Sequence, residues 1–310
     1  MGNDNKTINY FYLVGYQSNK SINILLFIIF LMTYVVTLTG DLVIAILVTK
    51  SHQLQYPMFY FLKHLSISEL LFTTNITPNM LYIILNGGGF MSLAGCIVQL
   101  YIYGALGTVE SFLLSVMSYD RYLAICNPLR YANMMNLQFC RSLVLSSWLL
   151  SFTSSLITTI LFCQLKICGS KVIDHYFCDF TPLVDRACSD TSIVRAVAVG
   201  LAALIVVPMF SLIIWTYVLI FIAIIRISST TGRQKAFSTC SSHLASVCSC
   251  YGPLIIIYMV PYRKDSLNVN KFVSILYTVV TPLFNPLIYS LRNEEIRAAT
   301  PQVRYLKLEL

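Results

Sequence analysis

Seven long apolar runs constrain the fold of this chain more than any other feature of its sequence. A helix needs about 20 mainly apolar residues to cross the hydrocarbon core of a bilayer. Every run exceeds that length without the alternation over about ten residues that marks a membrane β-strand. We therefore predict an all-α membrane protein, a bundle of seven transmembrane helices. The runs lie at about Ser21–Thr49, Pro57–Leu85, Leu93–Ile125, Cys140–Phe162, Ile193–Arg226, Phe237–Val260 and Lys271–Leu291.

The composition excludes most other protein classes. Of the 310 residues, 57% are hydrophobic and 11% are charged, whereas a water-facing surface requires about 25–35% charged residues. Soluble enzymes, disordered chains and fibrous proteins are therefore excluded. We expect the net charge of +8 to be distributed across a membrane and to contact lipid rather than nucleic acid. Residues 1–20 are polar, so we expect no cleavable signal peptide ahead of the first span.

Charge and glycosylation sequons indicate the orientation of the bundle. An odd number of spans places the termini on opposite sides, and a cytoplasmic C-terminus puts 12 of the 21 Lys and Arg residues on the cytoplasmic side, as the positive-inside rule favours. The sequons at Asn5 and Asn19 then lie outside, and we expect glycosylation of Asn5 because Asn19 is too close to the membrane. The prediction is one domain over 1–310, with an extracellular N-terminus (1–20), a long extracellular loop (163–192) and a cytoplasmic tail (292–310).

Four of the ten cysteines matter most for the topology, and all four lie on the proposed outer side, where disulfides persist. Cys96 opens the third span, and three more lie in the long loop, at Cys168, Cys178 and Cys188. Four cysteines allow three pairings, and the residues alone leave all three open.

Four sequence blocks carry a resemblance to a known family. They read LQYPMFYFL at 54–62, MSYDRYLAICNPLRY at 117–131, KAFSTCSSHL at 235–244 and PLFNPLIYSLRN at 282–293. In this order and on seven spans, they resemble the olfactory receptors, a family of rhodopsin-like G-protein-coupled receptors. Gln55 departs from the pattern, since the family usually has His there. The resemblance covers nearly the whole chain and implies a multi-pass plasma-membrane receptor without catalytic residues.

The resemblance implies an odorant-binding function. A small, mostly apolar, neutral odorant would bind in the extracellular half of the bundle, and a heterotrimeric G protein of the stimulatory olfactory type would then raise cAMP. Tyr103 stands where amine receptors of the wider superfamily carry an Asp, so a cationic amine has no counter-ion at that point. The family places ligand contacts at Tyr103, Gly104, Gly107, Thr108, Ser111, Leu201, Ile205, Tyr251, Leu254, Ile255, Tyr258 and Thr278. Helical spacing puts the third-span members of this set on one face, although small residues there are also typical of close helix packing.

The resemblance also implies disulfides and an activation switch. The pairings it implies are Cys96–Cys178, which ties the long loop to the third span, and Cys168–Cys188, which closes a local ring. Arg121 would pair with Asp120 at rest and face the G protein in the active receptor. The switch residues implied by the family are Asp120, Arg121, Tyr122, Tyr217, Asn285, Pro286 and Tyr289.

Three acidic residues lie inside the apolar spans. A charged acid in a membrane costs several kcal/mol, so such residues face the bundle interior and have partners. The family brings the equivalents of Asp41, Glu69 and Glu110 together beside Asn285. We weigh two alternatives: a buried sodium ion, or a protonated hydrogen-bonded network without an ion, since like charges at one site cannot all ionise cheaply. No other cofactor is expected.

Two rival functions fit the sequence less well. A secondary transporter also uses intramembrane acids, but the odd number of spans and the lack of an inverted repeat argue against it. An intramembrane enzyme would need a catalytic pair, and neither His64, His243 nor the serine-rich stretch 238–249 forms a recognisable one.

Overall fold

The computed structural model describes residues 9–51, 54–259, 267–292 and 296. Within these ranges the chain is mostly helical. The strands are β1 (Tyr10–Leu13), β2 (Gly89–Ser92) and β3 (Val172–Ile173). The helices are α1 (Lys20–Lys50), α2 (Pro57–Asn86), α3 (Leu93–Cys126), α4 (Pro128–Met134), α5 (Leu137–Cys163), α6 (Phe180–Val184), α7 (Ser192–Ile225), α8 (Thr230–Met259), α9 (Leu267–Ile275) and α10 (Thr281–Arg292), with a π-helical turn at Leu276–Val280 between α9 and α10.

Each predicted span corresponds to a long helical segment, so the helical class is confirmed. Among the described residues, five segments are long and apolar enough to cross a membrane. The segments that meet this criterion are Lys20–Lys50, Leu93–Cys126, Leu137–Cys163, Ser192–Ile225 and Lys271–Ser290. Helices α2 and α8 have comparable lengths but a more polar composition. The count of seven crossings and the orientation of the termini stay predictions.

Local sequence signals explain where the helices begin and end. Pro57 occupies the first turn of α2, where its missing N–H is not needed. That helix stops at Gly87, whose φ of +68° is the left-handed conformation that favours glycine. The Ser92 side chain caps α3 by accepting a hydrogen bond from the Gly95 N–H at 3.0 Å. Asn136 caps α5 in the same way, accepting from the Phe139 N–H at 2.9 Å.

Apolar side chains cover the outside of the bundle and polar side chains lie inside it, as expected of a protein surrounded by lipid. Large apolar side chains such as Leu149 and Leu204 are exposed on the outside of the bundle, as expected of a surface that contacts lipid. The inner faces carry the buried polar residues, among them Asp41, Glu69 and Asn285. Helix α3 packs against α2, α5, α7 and α8. It is therefore the central helix of the bundle.

A small β-sheet covers one end of the bundle, which the sequence predicts to be extracellular and which we call the outer end. Strand β1 pairs antiparallel with β2 and parallel with β3. The side chains of β1 alternate, so that Phe11 and Leu13 are fully buried while Tyr10 is exposed. The polar N-terminal segment carried no strand prediction from the sequence. Its residues 10–13 instead join the long loop and the α2–α3 connection into one layer.

Candidate functional site

A cavity of about 490 Å³ lies in the outer half of the bundle. Its walls come from α3, α5, α7 and α8, and the α6 segment of the long loop closes it from above. A pocket of 300–1,000 Å³ is the size that holds a small organic molecule. Apolar side chains from Phe72, Leu100, Val206 and the neighbouring helices make up much of the lining.

Most of the expected ligand contacts line this cavity. The two glycines and two hydroxyl residues of α3 face it because they follow helical spacing. Their hydroxyls are held in place, since Thr108 donates to the Gly104 carbonyl at 2.8 Å and Ser111 to the Gly107 carbonyl at 3.2 Å. The expected contacts that the structure brings together here are Tyr103, Gly104, Gly107, Thr108, Ser111, Leu201, Ile205 and Leu254.

Three expected contacts, Tyr251, Ile255 and Thr278, lie outside the cavity lining, so their contact with a ligand stays a prediction. Tyr251 is buried against Phe210 at a ring-centroid distance of 5.1 Å. Ile255 is 43% exposed, so its side chain faces away from the bundle interior. Thr278 is buried and its hydroxyl is occupied, since it donates to the Ser274 carbonyl and is hydrogen-bonded to the Tyr176 hydroxyl. The side chain of Tyr258 and the residue Asn5 lie outside the described residues.

The sequence patterns did not indicate the polar residues that the long loop and α5 contribute to the cavity. Asp179 and Thr181 line the cavity from the loop, and Arg195 does so from α7. Arg195 forms an ion pair with Asp185 at 2.7 Å. Two successive turns of α5 each contribute a pair of hydroxyl residues to the cavity lining, Ser154 with Ser155 and Thr158 with Thr159. Asp179 could have been found from its position directly after Cys178, which the disulfide holds at the top of α3.

Both implied disulfides are confirmed. Cys96 and Cys178 have Cα atoms 5.2 Å apart, and Cys168 and Cys188 have Cα atoms 5.8 Å apart, within the usual range for a disulfide. We call the first the span disulfide and the second the loop disulfide. The side chain of Gln99 accepts a hydrogen bond from the Cys178 N–H at 2.9 Å. These contacts fix the loop above the cavity.

An ion pair also fastens the loop to α9. The ammonium of Lys271 contacts the Asp174 carboxylate and donates to the Gly15 carbonyl at 3.0 Å. Next to it, His175 is buried and hydrogen-bonded to Ser274 at 3.3 Å. Burial and the neighbouring Lys271 charge lower the pKa of His175 to about 3. The histidine is therefore neutral at physiological pH, and Lys271 keeps its counter-ion in Asp174.

The three membrane acids lie below the cavity, near the middle of the bundle. Glu110 lines the cavity floor, and the Asn285 amide donates to Glu69 and, at 3.3 Å, to Glu110. Asp41 is fully buried beside Glu69 and Ser66, and its carboxyl oxygens have no hydrogen bond of ordinary geometry. Within the described residues, these acids do not form a group of three ligands spaced to hold a metal ion.

Two of the expected switch residues, Asp120 on α3 and Tyr217 on α7, lie toward the opposite end of the bundle from the cavity. The Asp120 carboxylate accepts a hydrogen bond from the Tyr131 hydroxyl at 2.9 Å, a partner that the sequence analysis did not name. Tyr217 is hydrogen-bonded to Nδ1 of His243 at 2.7 Å, and Nε2 of that ring lies 3.1 Å from the Leu114 carbonyl. Because a carbonyl only accepts, Nε2 carries the proton and Nδ1 accepts from Tyr217. These bonds join α3, α7 and α8 at one level of the bundle.

Comparisons with known proteins agree with this architecture. The family profile described as "Olfactory receptor" matches residues 30–306. Olfactory receptor 6J1 of Homo sapiens is 41% identical over 98% of this chain and 87% of its own length. Olfactory receptor 5P76 of Mus musculus is 43% identical over 93% of this chain and 92% of its own length. The chain therefore belongs to the olfactory receptor family, a family of odorant-sensing, non-enzymatic G-protein-coupled receptors of the plasma membrane.

Proposed function

We propose that this receptor binds a small, mostly apolar, neutral odorant in the cavity between α3, α5, α7 and α8. The observation that carries the proposal is the cavity itself, about 490 Å³ in volume and placed directly under the disulfide-bonded loop. Its apolar walls favour a ligand that leaves water readily. The hydroxyls of α3 and α5 offer a few polar contacts that would orient the ligand.

The same proposal includes coupling to a stimulatory G protein that raises cAMP. Two features of the predicted cytoplasmic end suit the binding of a partner protein at that end. Leu129 on the short helix α4 is 94% exposed, an apolar side chain that a partner would cover. Arg226 and Arg233 add positive charge around the junction of α7 and α8, which suits an acidic partner surface or anionic lipid headgroups.

Activation would follow from differential binding. A ligand shifts an equilibrium between two receptor conformations only when it binds one of them better. The odorant contacts α3, α7 and α8, and these are the helices that the Tyr217–His243–Leu114 hydrogen bonds hold together farther down. A ligand that favours a different spacing of these helices would weaken those bonds and expose Arg121 to the G protein.

The proposal is tested by screening an odorant panel on cells that carry the receptor and a cAMP reporter. Thr108→Val should shift the dose response of the active odorants about 10-fold, because it removes one hydroxyl contact from the cavity. Thr153→Val is the matched control, since Thr153 is an exposed residue of α5 outside the cavity lining. Equal potency of all agonists on both variants, at equal surface expression, would contradict the cavity assignment. A surface-expressed receptor without any agonist would contradict the odorant function.

A bound sodium ion is our second proposal for this bundle. The support for it is the buried carboxyl group of Asp41, whose oxygens have no hydrogen bond of ordinary geometry, together with Glu69 and Glu110, which are buried beside it. Orphaned carboxyl oxygens are the ligands that a hard cation prefers. In this role Asp41 would ligate the ion directly, and Asn285 would hold the two glutamates in place.

A further inference from the structure

The serine and threonine hydroxyls on the helical walls of the cavity donate their hydrogen bonds to backbone carbonyls. A hydroxyl has one proton to donate and two lone pairs that accept. On α3, Thr108 donates its proton to a carbonyl of its own helix. Ser155 of α5 donates to the Tyr101 carbonyl at 2.8 Å, and Thr159 to the Ser155 carbonyl at 2.8 Å. Thr281 donates to the Ser249 carbonyl at 2.6 Å. These hydroxyls have already used their protons, so they present only lone pairs to a ligand.

The loop adds a stronger acceptor to the roof of the cavity. Asp179 lines the cavity and serves as the N-cap of α6, where its Oδ1 accepts from the Phe180 N–H at 2.7 Å. That bond uses one oxygen and leaves Oδ2 available to a ligand. Burial raises the pKa of Asp179 to about 6, so the group is mainly ionised at neutral pH. A carboxylate accepts hydrogen bonds and donates none.

Few donors offset these acceptors. Among the described residues that line the cavity, Arg195 is the one cation. Its charge is paired with Asp185 through Nη2 at 2.7 Å, and its Nε–H donates to the Thr191 hydroxyl at 3.1 Å. Glu110 at the floor is a further carboxyl group. The lining therefore has an excess of acceptors at the roof and along two walls.

We propose that this cavity selects odorants that carry a hydrogen-bond donor, specifically alcohols, and that Oδ2 of Asp179 accepts the proton of the ligand hydroxyl. The inference rests on the proposed odorant function and names its ligand class. An alcohol satisfies the acceptors of the cavity, whereas a ketone of the same skeleton places its carbonyl oxygen against lone pairs. A buried acceptor left without a donor disfavours binding. The preference should appear as a potency ratio of about 10-fold or more between the members of such a pair.

The test compares alcohol and ketone pairs of equal carbon skeleton on the intact receptor, with a cAMP reporter. Suitable pairs are cyclohexanol with cyclohexanone, menthol with menthone and borneol with camphor. The wild-type receptor should respond to the alcohol of each active pair at about one-tenth of the ketone concentration. Equal potency, or more potent ketones, would overturn the inference while leaving the odorant function intact. A receptor without an agonist of any class would overturn both.

Asp179→Asn separates the ligand contact from the structural role of this residue. Asparagine caps a helix as well as aspartate does, so the bond to the Phe180 N–H is kept and surface expression should not change. The new amide also donates, so ketone potency should rise toward that of the alcohol and the ratio should fall to about one. Asp190→Asn, the same change at an exposed residue of the same loop outside the cavity lining, is the control and should leave the ratio unchanged. A variant that reaches the surface with an unaltered alcohol preference would overturn the assignment to Asp179.

Discussion

Lys271 and Asp174 form one ion pair, but loss of Asp174 should destabilise the receptor more than loss of Lys271. The Lys271 side chain is 8% exposed and the Asp174 side chain is 40% exposed. Replacing Asp174 with Ala leaves a buried ammonium with the Gly15 carbonyl as its remaining described partner. Replacing Lys271 with Met leaves a carboxylate that water reaches, and the methionine fills the space of the lysine stem.

The magnitudes follow from this difference in exposure. Removing the partner of a buried charge costs about 3–5 kcal/mol, whereas an exposed pair contributes about 0–1 kcal/mol. We expect Asp174→Ala to lose about 3 kcal/mol of the free energy of unfolding and Lys271→Met about 1 kcal/mol. The double variant should resemble Lys271→Met, because the acid has no further role once the ammonium is gone. The expected coupling between the two sites is therefore about 3 kcal/mol.

Thermal unfolding of the detergent-solubilised receptor measures these effects. A thiol-reactive fluorophore reports unfolding as the buried thiols of Cys140, Cys240 and Cys250 become accessible. At about 2 °C per kcal/mol for a chain of this size, Asp174→Ala should lower Tm by about 6 °C and Lys271→Met by about 2 °C. Equal shifts in the two single variants, or a larger shift for Lys271→Met, would refute the argument from exposure.

Three further predictions concern the sodium proposal, the disulfides and pH. Glu110→Gln should abolish any dependence of odorant activation on sodium, and an unchanged sodium titration would remove the ion from the mechanism. In the chain-entropy model the span disulfide, with a sequence separation of 82, contributes about 4.5 kcal/mol, against about 3.3 kcal/mol for the loop disulfide; Tm should therefore fall further in Cys96→Ala than in Cys168→Ala. Because the folded pKa of His175 is about 3, the unfolded chain binds the extra proton below pH 6.5, so stability falls as the pH drops. His175→Gln should remove a slope of at most about 1.4 kcal/mol per pH unit in thermal melts.

The sequence predicted the helices of this receptor better than it predicted the roof of the cavity. Apolar length and helical periodicity are local properties, and the bounds of α2 and α3 differ from the predicted spans by one residue at most. The family resemblance supplied the disulfides and most of the α3 contacts. The strand at 10–13 and its pairing with residues 172–173 were missed, because pairing between distant short segments has no signature within either one.

Some expected ligand contacts do not line the cavity, and the reason is similar. Helical spacing shows which residues share a face, but not which way that face turns in the bundle. Ile255 follows Leu254 in the sequence, yet Leu254 lines the cavity and Ile255 is 43% exposed. Asp179 and Arg195 are polar residues beside an extracellular loop, where solvent exposure is the ordinary expectation. Only the folded loop shows that both of them line the cavity.

Helix α3 gives the receptor a physical connection between the cavity and the switch residues. Ser111 lines the cavity, and its carbonyl accepts a hydrogen bond from the Tyr251 hydroxyl of α8 at 3.5 Å. One turn along, the Leu114 carbonyl bonds His243, which is also on α8. An odorant that displaces α3 from α8 at the first contact must therefore strain the second, because both lie between the same two helices. Rotation of either helix would change both bonds together, so we predict that ligand binding and opening of the far end of the bundle are coupled through these two helices.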